Sequence, residues 1–206
     1  MRTTHRITLA ITGLATAFVL AACGSPNGQS TAQSSGSSSA PSGSSSASAS
    51  EHNDADVTFA QMMIVHHQQA IEMADLAPTR ASNPQVKDLA AKIKAEQAPE
   101  IDTMTKWLSA WGAPATMSGM DHGGHNMGTM PGAMSSADMD RLAGLSGSKF
   151  DREFLTLMIA HHQGAIAMAK TEQAEGVNPD AKALATKIVQ DQTAEIAQMQ
   201  TLLTHV

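Results

Sequence analysis

Aromatic side chains are nearly missing from this chain, with four Phe, two Trp and no Tyr among 206 residues. Sandwiches and barrels are built from many short strands rich in aromatic and β-branched residues, so the shortage argues against an all-β fold. Cysteine is scarcer still. The single Cys23 excludes an internal disulfide framework and a thiolate-ligated zinc site. Basic residues are also in deficit: Arg2 and Arg6 belong to the N-terminal leader, which leaves 11 of the 13 Lys and Arg against 19 acids, all beyond residue 50, and a net charge near −8. Such a surface does not take a nucleic-acid backbone, and it suits cations. No motif for serine, cysteine or phosphate chemistry occurs. Ala, Leu, Met, Gln, Lys and Glu dominate, as in helices, and the surplus to be explained is 14 Met and nine His.

Residues 1–22 read as a signal peptide: Arg2 and Arg6, then an apolar stretch from Ile7 to Leu20, too short for a comfortable membrane span. Leu20-Ala21-Ala22-Cys23 resembles the bacterial lipoprotein box, in which Cys23 becomes the acylated first residue. Several acyl chains on one residue anchor stably where one would not. Residues 23–50 supply that cysteine and then a Ser/Ala/Gly-rich tether unable to bury enough apolar surface to fold. As a flexible coil it reaches roughly 30 Å. The expected location is therefore the outer side of a cell membrane, with residues 51–206 forming the folded domain.

That domain contains an internal repeat. Residues 56–111 superpose on 151–206 at a constant offset of 95, with 23 identities in 56 positions and no insertion. Each copy predicts two helices. In the first, Asp54 serves as N-cap, the helix runs to about Ala77, and Pro78 follows its end; Asn83-Pro84 then supplies a cap and an N1 proline. In the second, Ser148 caps, Gly176 ends the helix and Asn178-Pro179 starts the next. Pro99 should kink its helix. A short helix near 137–145 precedes the second copy. The short connections make each pair antiparallel, and two αα-hairpins give an all-α four-helix bundle.

Helical phase places His66 and His67 inside the apolar stripe formed by Phe59, Met63, Ala70, Ile71 and Ala74. Gln97 and Glu100 interrupt the stripe of the partner helix, and His161, His162, Gln192 and Glu195 repeat the pattern. Counted outward from the hairpin turn, all fall near mid-bundle, where unpaired polar groups are costly. Two readings stand: a hydrogen-bond network in which Glu and Gln hold the imidazoles, or a metal site of His66, His67, His161, His162, Glu100 and Glu195. Histidines adjacent in sequence diverge by about 100° on a helix, so one of each pair faces the centre and the other a neighbour.

Between the repeats, residues 113–139 form a Gly-rich stretch without helical or strand period. It carries Met117, Met120, Asp121, His122, His125, Met127, Met130 and Met134, followed by Met139. Thioethers suit Cu(I), and imidazole suits copper, nickel or zinc, with Asp121, His122 and His125 as harder donors for Cu(II). The alternatives are a plain spacer and an oxidant-scavenging methionine cluster.

The stretches FAQMMIVHHQQAIEMA (59–74) and FLTLMIAHHQGAIAMA (154–169), each followed by Q-x-x-E-I-x-x-M at 97–104 and 192–199, resemble the bacterial family called domain of unknown function 305. The resemblance covers 54–206. It implies an exported bundle resembling ferritin-like folds, often in lipoproteins, with some members associated with copper binding and tolerance. The expected function is thus a membrane-anchored copper binder that sequesters or passes on the ion and is not an enzyme; the sequence identifies no protein partner. Competing with it are a ferritin-like metal oxidase, against which stands the lack of the Glu-x-x-His pairs of di-iron bundles, and a helical interaction module with structural histidines.

Overall fold

The computed structural model describes residues 51–115 and 130–206. The leader, Cys23 and the tether lie outside the described residues, as do Met117, Met120, Asp121, His122, His125 and Met127. Five helices follow one another: α1 (Asp54–Arg80), α2 (Pro84–Ala110), α3 (Ser136–Gly144), α4 (Ser148–Glu175) and α5 (Pro179–Leu203). The four long ones form the bundle. α1 and α2 make one hairpin, α4 and α5 the other, and the hairpins meet chiefly through α1 against α4.

Local chemistry sets the boundaries. Asn83 and Asn178 accept hydrogen bonds from the first amides of α2 and α5, and Pro84 and Pro179 occupy first-turn positions where no N–H is needed. Three expectations are corrected. Asn53, not Asp54, caps α1, because its side chain accepts from the Ala55 and Asp56 amides while Asp56 reaches back to the Asn53 N–H, a reciprocal box that Asp54 could not close. α1 continues through Pro78 to Arg80, whose carbonyl is taken by the Gly147 N–H at 2.8 Å. The N-cap of α4 is Gly147, at φ +64, a conformation that Ser148 would adopt only with strain; Ser148 is the first helical residue. α2 runs unbroken through Pro99.

Two apolar clusters fill the interior. One holds Met73, Leu89, Ile93, Phe150, Phe154, Met158 and Met199; the other holds Phe59, Met63, Met104, Leu108, Ala165 and Ile188. Along every long helix the residues between the clusters are polar and buried: His66 and His67 on α1, Gln97 and Glu100 on α2, His161 and His162 on α4, Gln192 and Glu195 on α5. Burial of each large side chain contributes about 1.5 to 3 kcal/mol, so the clusters on either side can carry a polar layer between them.

The hairpins also cap one another. Asp151 accepts from the Ser82 and Asn83 amides at the α1–α2 turn, and Asp56 accepts from the Val177 and Asn178 amides at the α4–α5 turn. Both aspartates are almost wholly buried.

Candidate functional site

The polar layer obeys the twofold of the repeat. His67 Nε2 donates to Glu100 at 2.8 Å, and His162 Nε2 donates to Glu195 at 2.8 Å. Each carboxylate also bridges to the other hairpin, Glu100 accepting from Lys187 at 3.0 Å and Glu195 from Lys92 at 2.8 Å. His66 and His161 face each other across the centre, ring centroids 3.6 Å apart. One histidine of each pair thus points inward and the other toward its hairpin partner.

Burial would raise both glutamates, but the hydrogen bonds from His67 and His162 and the nearby ammonium groups of Lys187 and Lys92 outweigh it; Glu100 is lowered and Glu195 is held at about 2. Burial depresses His66 to about 3, aided by the neighbouring imidazoles, and lowers His67 and His161. The layer therefore holds ionised carboxylates, external ammonium groups and, at His66, His67 and His161, neutral rings.

A carboxylate or a carbonyl can only accept, which fixes the tautomers. His67 and His162 carry Nε2–H toward Glu, and His66 carries Nε2–H toward the Pro131 carbonyl at 3.2 Å. The Nδ1 atoms of His66, His67 and His162 meet no partner; nor does either ring nitrogen of His161, either amide atom of Gln97, or Gln192 Oε1. A cavity of about 10 Å³, lined by Gln97, Glu100, Gln192 and Glu195, has room for about one water. Among the described residues no group of three or more His, Cys, Asp or Glu is arranged to hold a metal ion. Both glutamates are already engaged with His and Lys.

Met130 and Met134, grouped above with the loop ligands, are packed in the interior at 4% and 7% exposure, one in each apolar cluster. The reason is a strap. Residues 130–134 lie across α1 and α4, where the repeats differ at equivalent positions, Gln69 and Gly164. Gln69 binds the Met134 backbone twice, Nε2 to the carbonyl at 2.9 Å and Oε1 from the amide at 2.7 Å. A Cβ on Gly164 would sit 2.0 Å from the Pro131 carbonyl oxygen, so only glycine admits the strap there. The strap also gives His66 its acceptor. Gln69→Ala should leave a buried amide and carbonyl unsatisfied, at about 1 to 3 kcal/mol each, and Gly164→Ala should unseat Pro131. Urea unfolding of both variants checks this; wild-type stability in each would mean the strap is not held as described.

Sequence reasoning missed Lys92, Lys187, Gln69, Gly164 and Pro131. The lysines were detectable, being identical in both copies, and Gln69 against Gly164 was a visible break inside the best-matched stretch.

Residues 56–203 match the model of the family called domain of unknown function 305. The chain belongs to that family. The Streptomyces coelicolor DUF305 protein described as secreted is 36% identical, the match covering 73% of this chain and 93% of that one at a TM-score of 0.67. A DUF305 fragment from Deinococcus radiodurans is 32% identical over 75% of this chain and 98% of its own, also at 0.67. CopM in its Cu(II)-bound form is 37% identical over 73% and 96%, at 0.63, and it has also been solved in Cu(I)-bound and Ag-bound forms. No curated protein matches the chain. No helix among the described residues is long and apolar enough to cross a membrane.

Proposed function

We propose that this DUF305 chain is a membrane-anchored, extracytoplasmic copper-binding protein that sequesters or passes on the ion. The observation that carries the reading is a division of labour in the ligand set. Within the bundle the carboxylates are paired to imidazoles and ammonium groups, whereas the segment between the repeats holds Met117, Met120 and Met127 for Cu(I) and Asp121, His122 and His125 for Cu(II). The similarity to CopM, solved with both copper states and with silver, supports the same soft-ion chemistry. Met130 and Met134 are left out of the set because they serve the strap. Copper stoichiometry of the full chain against a variant with residues 116–129 replaced by a short Gly/Ser linker tests the assignment.

A second reading has one observation in its favour. His67 and His162 present an unpaired Nδ1 while a carboxylate holds the opposite nitrogen, the arrangement that primes imidazole for a metal. In this reading His66, His67, His161 and His162, with Glu100 and Glu195 behind them, are the site.

The anchor is Cys23. Cys23→Ser should move the protein from the detergent phase to the aqueous phase on phase partitioning; unchanged partitioning would remove the lipid from the proposal.

A further inference from the structure

Outside the histidine layer lies a second buried polar pair. Asp56 on α1 is fully buried and accepts from the amides of Asn53, Val177 and Asn178 at 2.7, 3.3 and 3.0 Å. Glu172 on α4 is 1% exposed, and neither carboxyl oxygen meets a hydrogen-bond donor. A Cβ built on Gly176 would lie 2.2 Å from Glu172 Oε1 and 2.8 Å from Asp56 Oδ1, so both carboxyls crowd one point of the backbone. Two acceptor-only groups buried at one site repel unless one of them carries a proton.

The pseudo-twofold supplies a built-in control. At the opposite turn Asp151 caps Ser82 and Asn83 in the same way, but Ala77 stands in place of Glu172 and Ala81 in place of Gly176. The glutamate and the glycine that makes room for it occur together at one end and are both missing at the other.

We propose that Glu172 carries a proton and donates it to the Asp56 carboxylate, making the α4–α5 turn and the start of α1 a pH-sensitive latch at one end of the bundle. Burial, then the hydrogen bond and charge of Asp56, push Glu172 up to about 8, while Lys182 pulls it down. Lys182 donates to the Gly176 carbonyl at 3.0 Å. Asp54 and Glu175 share a cavity wall with Glu172 and add negative charge nearby. For Asp56, burial acts upward, but the bonds from Glu172 and the three amides prevail and lower it.

The latch secures the point where the chain joins the bundle. Asn53 Nδ2 donates to the Glu175 carbonyl at 2.9 Å, and Asn178 Nδ2 donates to the Glu51 carbonyl at 3.0 Å. Ionisation of Glu172 sets a second negative charge against Asp56 and loosens these ties first. The sign follows from a folded-state pKa raised above the ordinary 4.5: the stability owed to this site is complete below about 4.5 and declines as pH climbs toward 8.

The test is an amide NMR titration of the full chain from about pH 6 to about pH 10, spanning the Glu172 midpoint. Val177 and Asn178 should shift with a midpoint near 8, while Ser82 and Asn83, at the end without the glutamate, stay flat. Glu172→Gln keeps a donor against Asp56 but cannot ionise, and it should abolish the inflection. The double variant Glu172→Ala, Gly176→Ala recreates the opposite turn and should fold and titrate flat. A flat wild-type titration, or an inflection surviving in Glu172→Gln, overturns the proposal. So does a calcium-induced shift of the same two amides at neutral pH that is lost in Glu172→Gln, since a cation and not a proton would then join the carboxyls.

Discussion

Acidification below about pH 6 in the presence of a chelator should destabilise this bundle before Glu100 and Glu195 titrate. His66, His67 and His161 stay neutral in the fold because burial lowers them, His66 to about 3, whereas the unfolded chain protonates them near 6.5. The unfolded state then binds more protons, and stability is lost as pH falls below 6.5 toward the lowered values. A group protonated in the unfolded chain and neutral in the fold costs about 1.4 kcal/mol per pH unit; His66 reaches that slope about one unit below 6.5 and keeps it down toward 3, and His67 and His161 add to the loss in the same direction. Glu172, raised to about 8, runs the other way and offsets one of them down to about 4.5. Even one uncompensated group, at about 1.4 kcal/mol per pH unit, is large against a total of about 5 to 15 kcal/mol for a domain. Below 4.5 the lowered Glu100 and Glu195 add to the loss as their partners are stripped of a carboxylate. Urea midpoints should change little between about pH 7.5 and 6, where the gain at Glu172 offsets the histidines, and fall between about 6 and 5; His66→Asn with His161→Asn should flatten that fall. Equal midpoints at all three would show that these rings are protonated or hydrated in the fold.

The same histidines show how far the sequence could be read. The gapless repeat and the helical phase of Phe59, Met63, His66, His67 and Ala70 were enough to place a polar layer at mid-bundle, since helix geometry alone brings those positions inward. Pairing within the layer needed tertiary register: that Glu100 meets His67 and also Lys187 of the other hairpin depends on how the hairpins cross, and no periodicity reports it. The strap was hidden for a different reason. Met130 to Met134 has no helical or strand period, so its burial is decided by Gln69 and Gly164 on two other helices. The expected caps Asp54 and Ser148 each lie one residue from the true cap, for different reasons: Gly147 is held by the Arg80 carbonyl, far away in sequence, whereas the Asn53–Asp56 box is a local pattern legible in the sequence.

Copper binding should separate by oxidation state and by pH. Thioethers carry no proton in the ordinary range, while an imidazole of pKa near 6.5 is protonated and lost as a ligand on acidification. Cu(I) held by Met117, Met120 and Met127 should therefore largely survive at about pH 5, and Cu(II) held by Asp121, His122 and His125 should weaken there. Circular dichroism at the same pH identifies any loss that comes from unfolding of the bundle. Replacing residues 116–129 by a Gly/Ser linker should abolish both binding modes with helicity intact, because Gln69, Gly164 and His66 still hold Met130 to Met134 in place. If that variant binds copper at full strength, the ion belongs with His66, His67, His161 and His162, and its loss at low pH should then follow the imidazoles in both oxidation states. If neither protein binds copper, the carboxylate-held rings are structural, and what they contribute is the register of the two hairpins.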